Sequence, residues 1–155
     1  MADESVTYTL TTPGGTIVFN NGDLRTLDDV YWIQNIGGLD GGTIRAPVDN
    51  APQAHGGIIH NFWKGPRHIT IEGVIFVQSV PLGGACLTIR NDMEEDLRAA
   101  LESLLQADGT LAWTPTGLSA RSLTVRNEIP VEYTPAENYA IKAFVFGLVA
   151  GDPDW

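Results

Sequence analysis

The sequence predicts a mainly β protein, a β-sandwich or open barrel with one flanking α-helix. Three observations carry that expectation. Short runs across the chain alternate apolar and polar residues at period two. Turns rich in Gly, Pro and Asn separate them. A single stretch, after Asn91, shows helical spacing behind a capping residue.

Taken in order, Val6–Thr11 sets Val6, Tyr8 and Leu10 against threonines and is expected to be a strand. Pro13-Gly14-Gly15 turns the chain into a second strand, Thr16–Asn20. Asn20-Asn21-Gly22-Asp23 is turn chemistry suited to positive φ. Leu24–Val30 fits neither period, and Tyr31–Ile36 is again extended. From Gly37 to Gly57 the chain is rich in glycine, with Pro47 and Pro52, and offers a short strand only at Thr43–Ala46. A long connection of that kind commonly serves binding or assembly. His55–Val77 is expected to form a central hairpin. Ile58–Trp63 and His68–Val77 would be its limbs, Lys64-Gly65-Pro66-Arg67 its turn, and Gly73 a candidate bulge.

Pro81–Ala85 is a turn and Leu87–Ile89 a short extended piece. Asn91 then caps the helix, with Glu94 three residues on and acids gathered at its positive end. Met93, Leu97, Ala100, Leu101, Leu104 and Leu105 share one face, and Glu94 can pair with Arg98. Asp108-Gly109 stops the helix, with Gly109 as an αL cap. Thr110–Thr114 and Ser119–Tyr133 follow as strands, and Pro130 marks an edge. Tyr139–Val149 is the most apolar strand. Its near-continuous apolarity predicts cover on both faces.

Composition narrows the function. At 155 residues the chain suits a single domain, 1–155, and 43% apolar content is that of a globular protein. The one cysteine, Cys86, cannot close a disulfide within the chain. Nineteen acidic against nine basic residues give a net charge of −10. That opposes specific nucleic-acid binding, which needs cations to displace phosphate counterions. The N-terminus lacks the basic and apolar regions of a signal peptide. The apolar run Ala143–Ala150 is far short of the ~20 residues needed to insert in a membrane.

Catalytic patterns are weak. His55, His60, His68 and Glu72 cluster in sequence, but a metal needs several of them converging on one point. His55-Gly56-Gly57 looks like an oxyanion loop, yet the Gly-x-Ser-x-Gly elbow is missing. No phosphate loop, dinucleotide fingerprint or Cys-x-x-Cys occurs. No enzyme activity and no cofactor are expected. Tyr31, Trp32 and Trp63 could stack on sugars, which keeps a carbohydrate-binding β-sandwich open as an alternative.

Four stretches in order carry a family resemblance. They are Ile36–Pro47 (IGGLDGGTIRAP) leading to His55-Gly56-Gly57; Gly65-Pro66-Arg67 with Ile69, Ile71 and Gly73; the lone helix ahead of Asp108-Gly109-Thr110-Leu111; and Phe146-Gly147-Leu148-Val149-Ala150-Gly151-Asp152-Pro153. From about Val30 to Trp155 the chain resembles the N-terminal hub domain of distal tail proteins (Dit), or minor tail proteins, of long-tailed bacteriophages. The resemblance implies a tail-tube-like fold and a structural virion protein at the tail tip, assembled in the host cytoplasm. It implies a homohexameric ring that joins the tail tube protein to the baseplate hub, or tail-associated, protein. DNA would pass through its lumen without specific binding, after the tape measure protein had left it. A tail tube subunit is the nearest alternative. Many relatives continue into a carbohydrate-binding-like domain, whereas this sequence stops at Trp155.

The residues expected at the assembly interface are Gly37, Gly38, Arg45, His55, Gly56, Gly57, Trp63 and Arg67. Gly56→Val is expected to hurt ring formation more than folding.

Overall fold

The computed structural model describes residues 6–21, 29–39, 66–134 and 140–151, together with the backbone of Ile44–Arg45, Val48–Asn50, Gly57–Ile59 and Trp63–Lys64. Its elements are β1 (Tyr8–Thr12), β2 (Gly15–Phe19), β3 (Val30–Gly37), β4 (Ile44–Arg45), β5 (Val48–Asn50), β6 (Gly57–Ile59), β7 (Trp63–Lys64), β8 (Arg67–Phe76), α1 (Gly84–Ser103), β9 (Gly109–Trp113), β10 (Arg121–Tyr133) and β11 (Ile141–Ala150). The mainly β expectation with one helix matches this arrangement. The sheet, however, is neither a sandwich nor open. It closes into a seven-stranded barrel in the order β1-β2-β3-β8-β11-β10-β9, with β9 returning to β1.

Alternation builds the barrel interior. On β8, Ile69, Ile71, Gly73 and Ile75 are buried, while His68, Thr70 and Glu72 between them are exposed. On β11, Phe144, Phe146 and Leu148 point inward and pack with Phe19 from β2. Helix α1 covers the core with Cys86, Leu97, Ala100 and Leu101. Two tyrosines fasten it: Tyr31 donates its hydroxyl to the Met93 carbonyl and Tyr133 to that of Glu94, both at 2.7 Å. Burial, ahead of nearby charge, pushes both phenols well above the usual tyrosine range. Between them lies a largely buried ionic patch, with Glu94 facing Arg90 at 3.4 Å and Lys142 at 3.5 Å.

Several local expectations are corrected. The helix begins two turns before Asn91, at Gly84, behind Gly83 with φ +152. Leu87–Ile89 is therefore helical, because the apolar spacing continues upstream through Cys86 and Ile89. The acids read as a helix start lie in its middle, and Glu94 pairs with Arg90 while Arg98 pairs with Glu95. Leu105 lies beyond the helix end and is exposed. Gly109 is no αL cap. It opens β9 against β1, where a Cβ would press on the Thr11 carbonyl at 2.6 Å.

The central hairpin is also corrected. β8 pairs with β3 and β11, not with the Ile58–Trp63 run, whose parts pair instead with β4 and β5. The bulge lies opposite Gly73, between Ile33 and Asn35 of β3. Gly73 is glycine because a side chain there would overlap the Trp32 carbonyl and crowd the Phe144 ring. Pro130 does mark an edge: beyond Val125, β10 keeps β11 as a strand partner but loses β9, and its register with β11 slips around Ile129.

The barrel has one thin seam. Among the described residues, β2 meets β3 at a single parallel pair, Phe19 and Tyr31. Buried Asn20, at φ 59, reinforces it. Its backbone N–H donates to Tyr31 O, its side-chain amide donates to Val6 O, and its Oδ1 accepts from the Ile33 N–H. The αL geometry expected of the Asn20–Asp23 turn thus falls on a structural clamp.

Candidate assembly interface

Between β3 and β8 the described backbone is paired in short ladders, where the sequence suggested open loop. Gly37 faces Thr70, Ile44 faces Lys64, Arg45 faces Trp63, and Val48 to Asn50 face Ile59 to Gly57. Residue numbers rise on one limb as they fall on the other, at a nearly constant sum. The short ladders β4–β7 and β5–β6 therefore follow the β3–β8 ladder in the same antiparallel sense, and these described pairs make up an arm. A two-stranded ribbon of so few pairs is marginal in water by itself.

The arm's root is tightly built. Gly38 sits at φ +87, and a Cβ there would overlap the His68 carbonyl. Arg67 is 3% exposed and donates from Nη1 to the Leu39 carbonyl at 2.7 Å. That bond ties the start of β8 to the turn after β3. Gly37, Gly38 and Arg67 are therefore gathered at the root. Arg45 and Trp63 are register partners farther along, and Gly57 lies in the outermost described ladder. His55 and Gly56 fall outside the described residues.

The other candidate constellations do not assemble. His68 and Glu72 share the outer face of β8 but stand four residues apart, roughly 13 Å at strand rise. His68 is instead engaged with Glu128, its Nδ1 2.9 Å from either carboxylate oxygen. His60 lies outside the described residues, and among those described no group of three His, Cys, Asp or Glu converges. Tyr31 and Trp32 face opposite sides of β3, since Tyr31 reaches the helix while Trp32 lies beside outward Val74. Trp113 is buried, stacked on Tyr8 at 6.4 Å. Tyr31 and Trp32 therefore share no platform for a sugar ring, and the Trp63 side chain lies outside the described residues. No described helix is long and apolar enough to cross a membrane.

Sequence reasoning did not single out the outward apolar residues of the β3–β8–β11 sheet. Its register rows place Trp32 beside Val74 and Ala143, and Glu72 beside Val145, with Val149 farther along. These apolar side chains are half-buried and lie on the opposite side from the core. The signal was available in β11, whose alternate positions are apolar on both faces. Ile129, about half exposed, lies over Gly147 on the same surface. Exposed Glu72 and Glu132 flank Val145 on either side.

No family model matches the sequence, and no curated protein matches it. In structure the chain is similar to the Dit protein (gp 19.1) of phage SPP1, described as a paradigm of the hub adsorption apparatus in phages that infect Gram-positive bacteria. The match covers 94% of this chain and 50% of that one, with a TM-score of 0.56 and 14% sequence identity. The chain thus spans about half the length of the SPP1 protein, and at that identity the likeness is one of fold.

Proposed function

We propose that this chain is a structural protein of a phage tail tip, a ring-forming hub subunit of the Dit kind. The observation that carries the reading is the shared fold over nearly the whole chain. The half-buried Trp32, Val74, Val145 and Val149 on the outside of the sheet add to it, because uncovered apolar side chains grouped together mark contact surfaces. In this reading residues 1–155 form one domain, and six copies close a ring between the tail tube and the baseplate hub. The tape measure protein and then DNA occupy its lumen. A net charge of −10 suits a channel that must release DNA. The role is architectural, with no turnover.

Multi-angle light scattering and negative-stain imaging of the purified protein test this. Single or paired rings are the expected result. Monomers at every concentration overturn it, and long tubes reassign the chain as a tail tube subunit.

A further inference from the structure

We infer that the exposed turn ahead of α1, Pro81-Leu82-Gly83, seats in the groove between the far end of α1 and β10 on a second copy of this chain. The inference rests on the ring reading and names two surfaces that meet in it.

Beyond Val125, β10 has lost β9, and the C-terminal turns of α1 run beside it. Between them lies a hollow of about 180 Å³, with Leu101, Leu105, Pro130 and Val131 as its walls and Arg98 and Glu102 at its rim. An engineered cavity left by one deleted leucine side chain measures about 150 Å³, so the hollow accepts one side chain of that size. Pro130 has no N–H to offer an incoming strand. A contact here is therefore made by side chains and not by extending the sheet. Leu105, one of the walls, is largely open to solvent, an apolar surface left for a partner to cover.

Exposure and charge pick out the occupant. Among the described residues Leu82 is the most exposed large apolar side chain, at 69%. It stands directly ahead of α1, which begins with no side-chain cap and no acid in its first turn. That end of the helix carries the positive pole of its dipole. At the groove, Arg98 is engaged with Glu95 and with the Tyr133 ring, whereas Glu102 has no partner among the described residues. An apolar knob backed by a positive helix end and an apolar hollow rimmed by an unpaired carboxylate are complementary. The 20 residues of α1 hold the two patches about 30 Å apart. They are different surfaces of one subunit, which is what a heterologous, ring-closing contact requires.

Cross-linking tests the pairing. Leu82→Cys and Leu105→Cys are placed in one chain and treated with a bismaleimide too short to join them within a subunit; the parent protein reads any background from buried Cys86. A ladder of covalent dimers and higher multimers is expected in the double variant and in neither single variant. Leu82→Glu is expected to lower ring yield at least about tenfold, the effect of losing one buried anchor, with an unchanged melting curve because its side chain is outside the core. Leu118→Glu, at another exposed turn leucine, should leave ring yield at the parent level. Glu102→Lys is expected to weaken rings without weakening the fold, since a cation suits the end of α1, and adding Ala85→Glu to restore them. Rings at full yield in Leu82→Glu with no ladder overturn this pairing and leave the ring reading intact. Rings lost in Leu118→Glu and kept in Leu82→Glu overturn the pairing as well. A parent protein that is monomeric at every concentration overturns both.

Discussion

The barrel has two outer faces of opposite character, built from the same kind of strand. On β1, β9 and the first half of β10, the outward residues are Thr9, Thr11, Thr110, Ala112, Ser122 and Thr124, aligned across the ladders. On β3, β8 and β11 apolar Trp32, Val74, Val145 and Val149 stand among exposed His68, Thr70 and Glu72. Both faces cover the same core, so the difference is not a requirement of folding. Threonine satisfies strand propensity while leaving the surface wet. Apolar residues do so while leaving it poorly solvated, and a group of them on one face marks a contact surface. In the proposed ring the second face, not the first, is the one in contact.

The largest expected effect breaks the comparison outright. Val149→Asp should abolish assembly, whereas Thr124→Asp, outward on β10, should leave it within twofold of the parent. Sedimentation velocity at matched concentration reads both. Equal loss in the two variants would mean that the faces are not distinct in function.

A second prediction concerns the seam between the two faces. Asn20 joins β1, β2 and β3 through three hydrogen bonds. Asn20→Gly keeps the positive φ accessible but leaves Val6 O and the Ile33 N–H without their partner. It should cost about 3 kcal/mol, read as a lowered urea midpoint. Asn20→Ala should cost more, since alanine also resists αL geometry by roughly 1 kcal/mol. A loss below that of an ordinary surface substitution would show that the seam is held elsewhere.

How much of this was legible in the sequence differs between the same two regions. The strands β1, β2, β9 and β10 follow strict alternation, and each was readable from its residues within a position or two. Barrel closure was not, because it depends on β9 meeting β1 across about a hundred residues. The arm was hidden for a different reason. Its pairs are too few and its glycines too many to give a period, so Gly37–Gly57 looked like open loop. The false hairpin arose because Lys64-Gly65-Pro66-Arg67 has turn residues, while Arg67 belongs to β8 and is held by Leu39. The early start of α1 was masked by acids that resemble a first turn but lie in its middle. Of the interface residues, the root of Gly37, Gly38 and Arg67 was locatable from glycine and arginine in a turn-rich stretch. That Arg67 is buried was not.

Gly38 sharpens the comparison at the point where the apolar sheet becomes the arm. Gly38→Ala meets the His68 carbonyl at positive φ and should cost about 2 kcal/mol. If the arm's pose matters to contact, ring yield should fall further than that stability loss explains. A melting shift with no change in ring yield would uncouple the root from assembly.

The smallest expected effect links the helix to pH. Tyr31 and Tyr133 have phenols held above the ordinary value of 10.0, chiefly by burial. A raised pKa means that the folded state keeps its proton where the unfolded chain has lost it. Stability from these groups is therefore complete below about pH 10 and declines as pH rises past it. Tyr31→Phe removes the titration and also the bond to the Met93 carbonyl. At pH 8 it should cost about 1 kcal/mol. Between pH 10 and 11 its melting temperature should fall less steeply than that of the parent, and Tyr133→Phe should behave likewise. Because both hydroxyls bond carbonyls in the middle of α1, away from its two ends and from the apolar outer face, ring yield at pH 8 should stay at the parent level in both variants. A loss of rings in either would mean that the middle of the helix also takes part in the contact, and the division between a covered face and a solvated one would have to be redrawn.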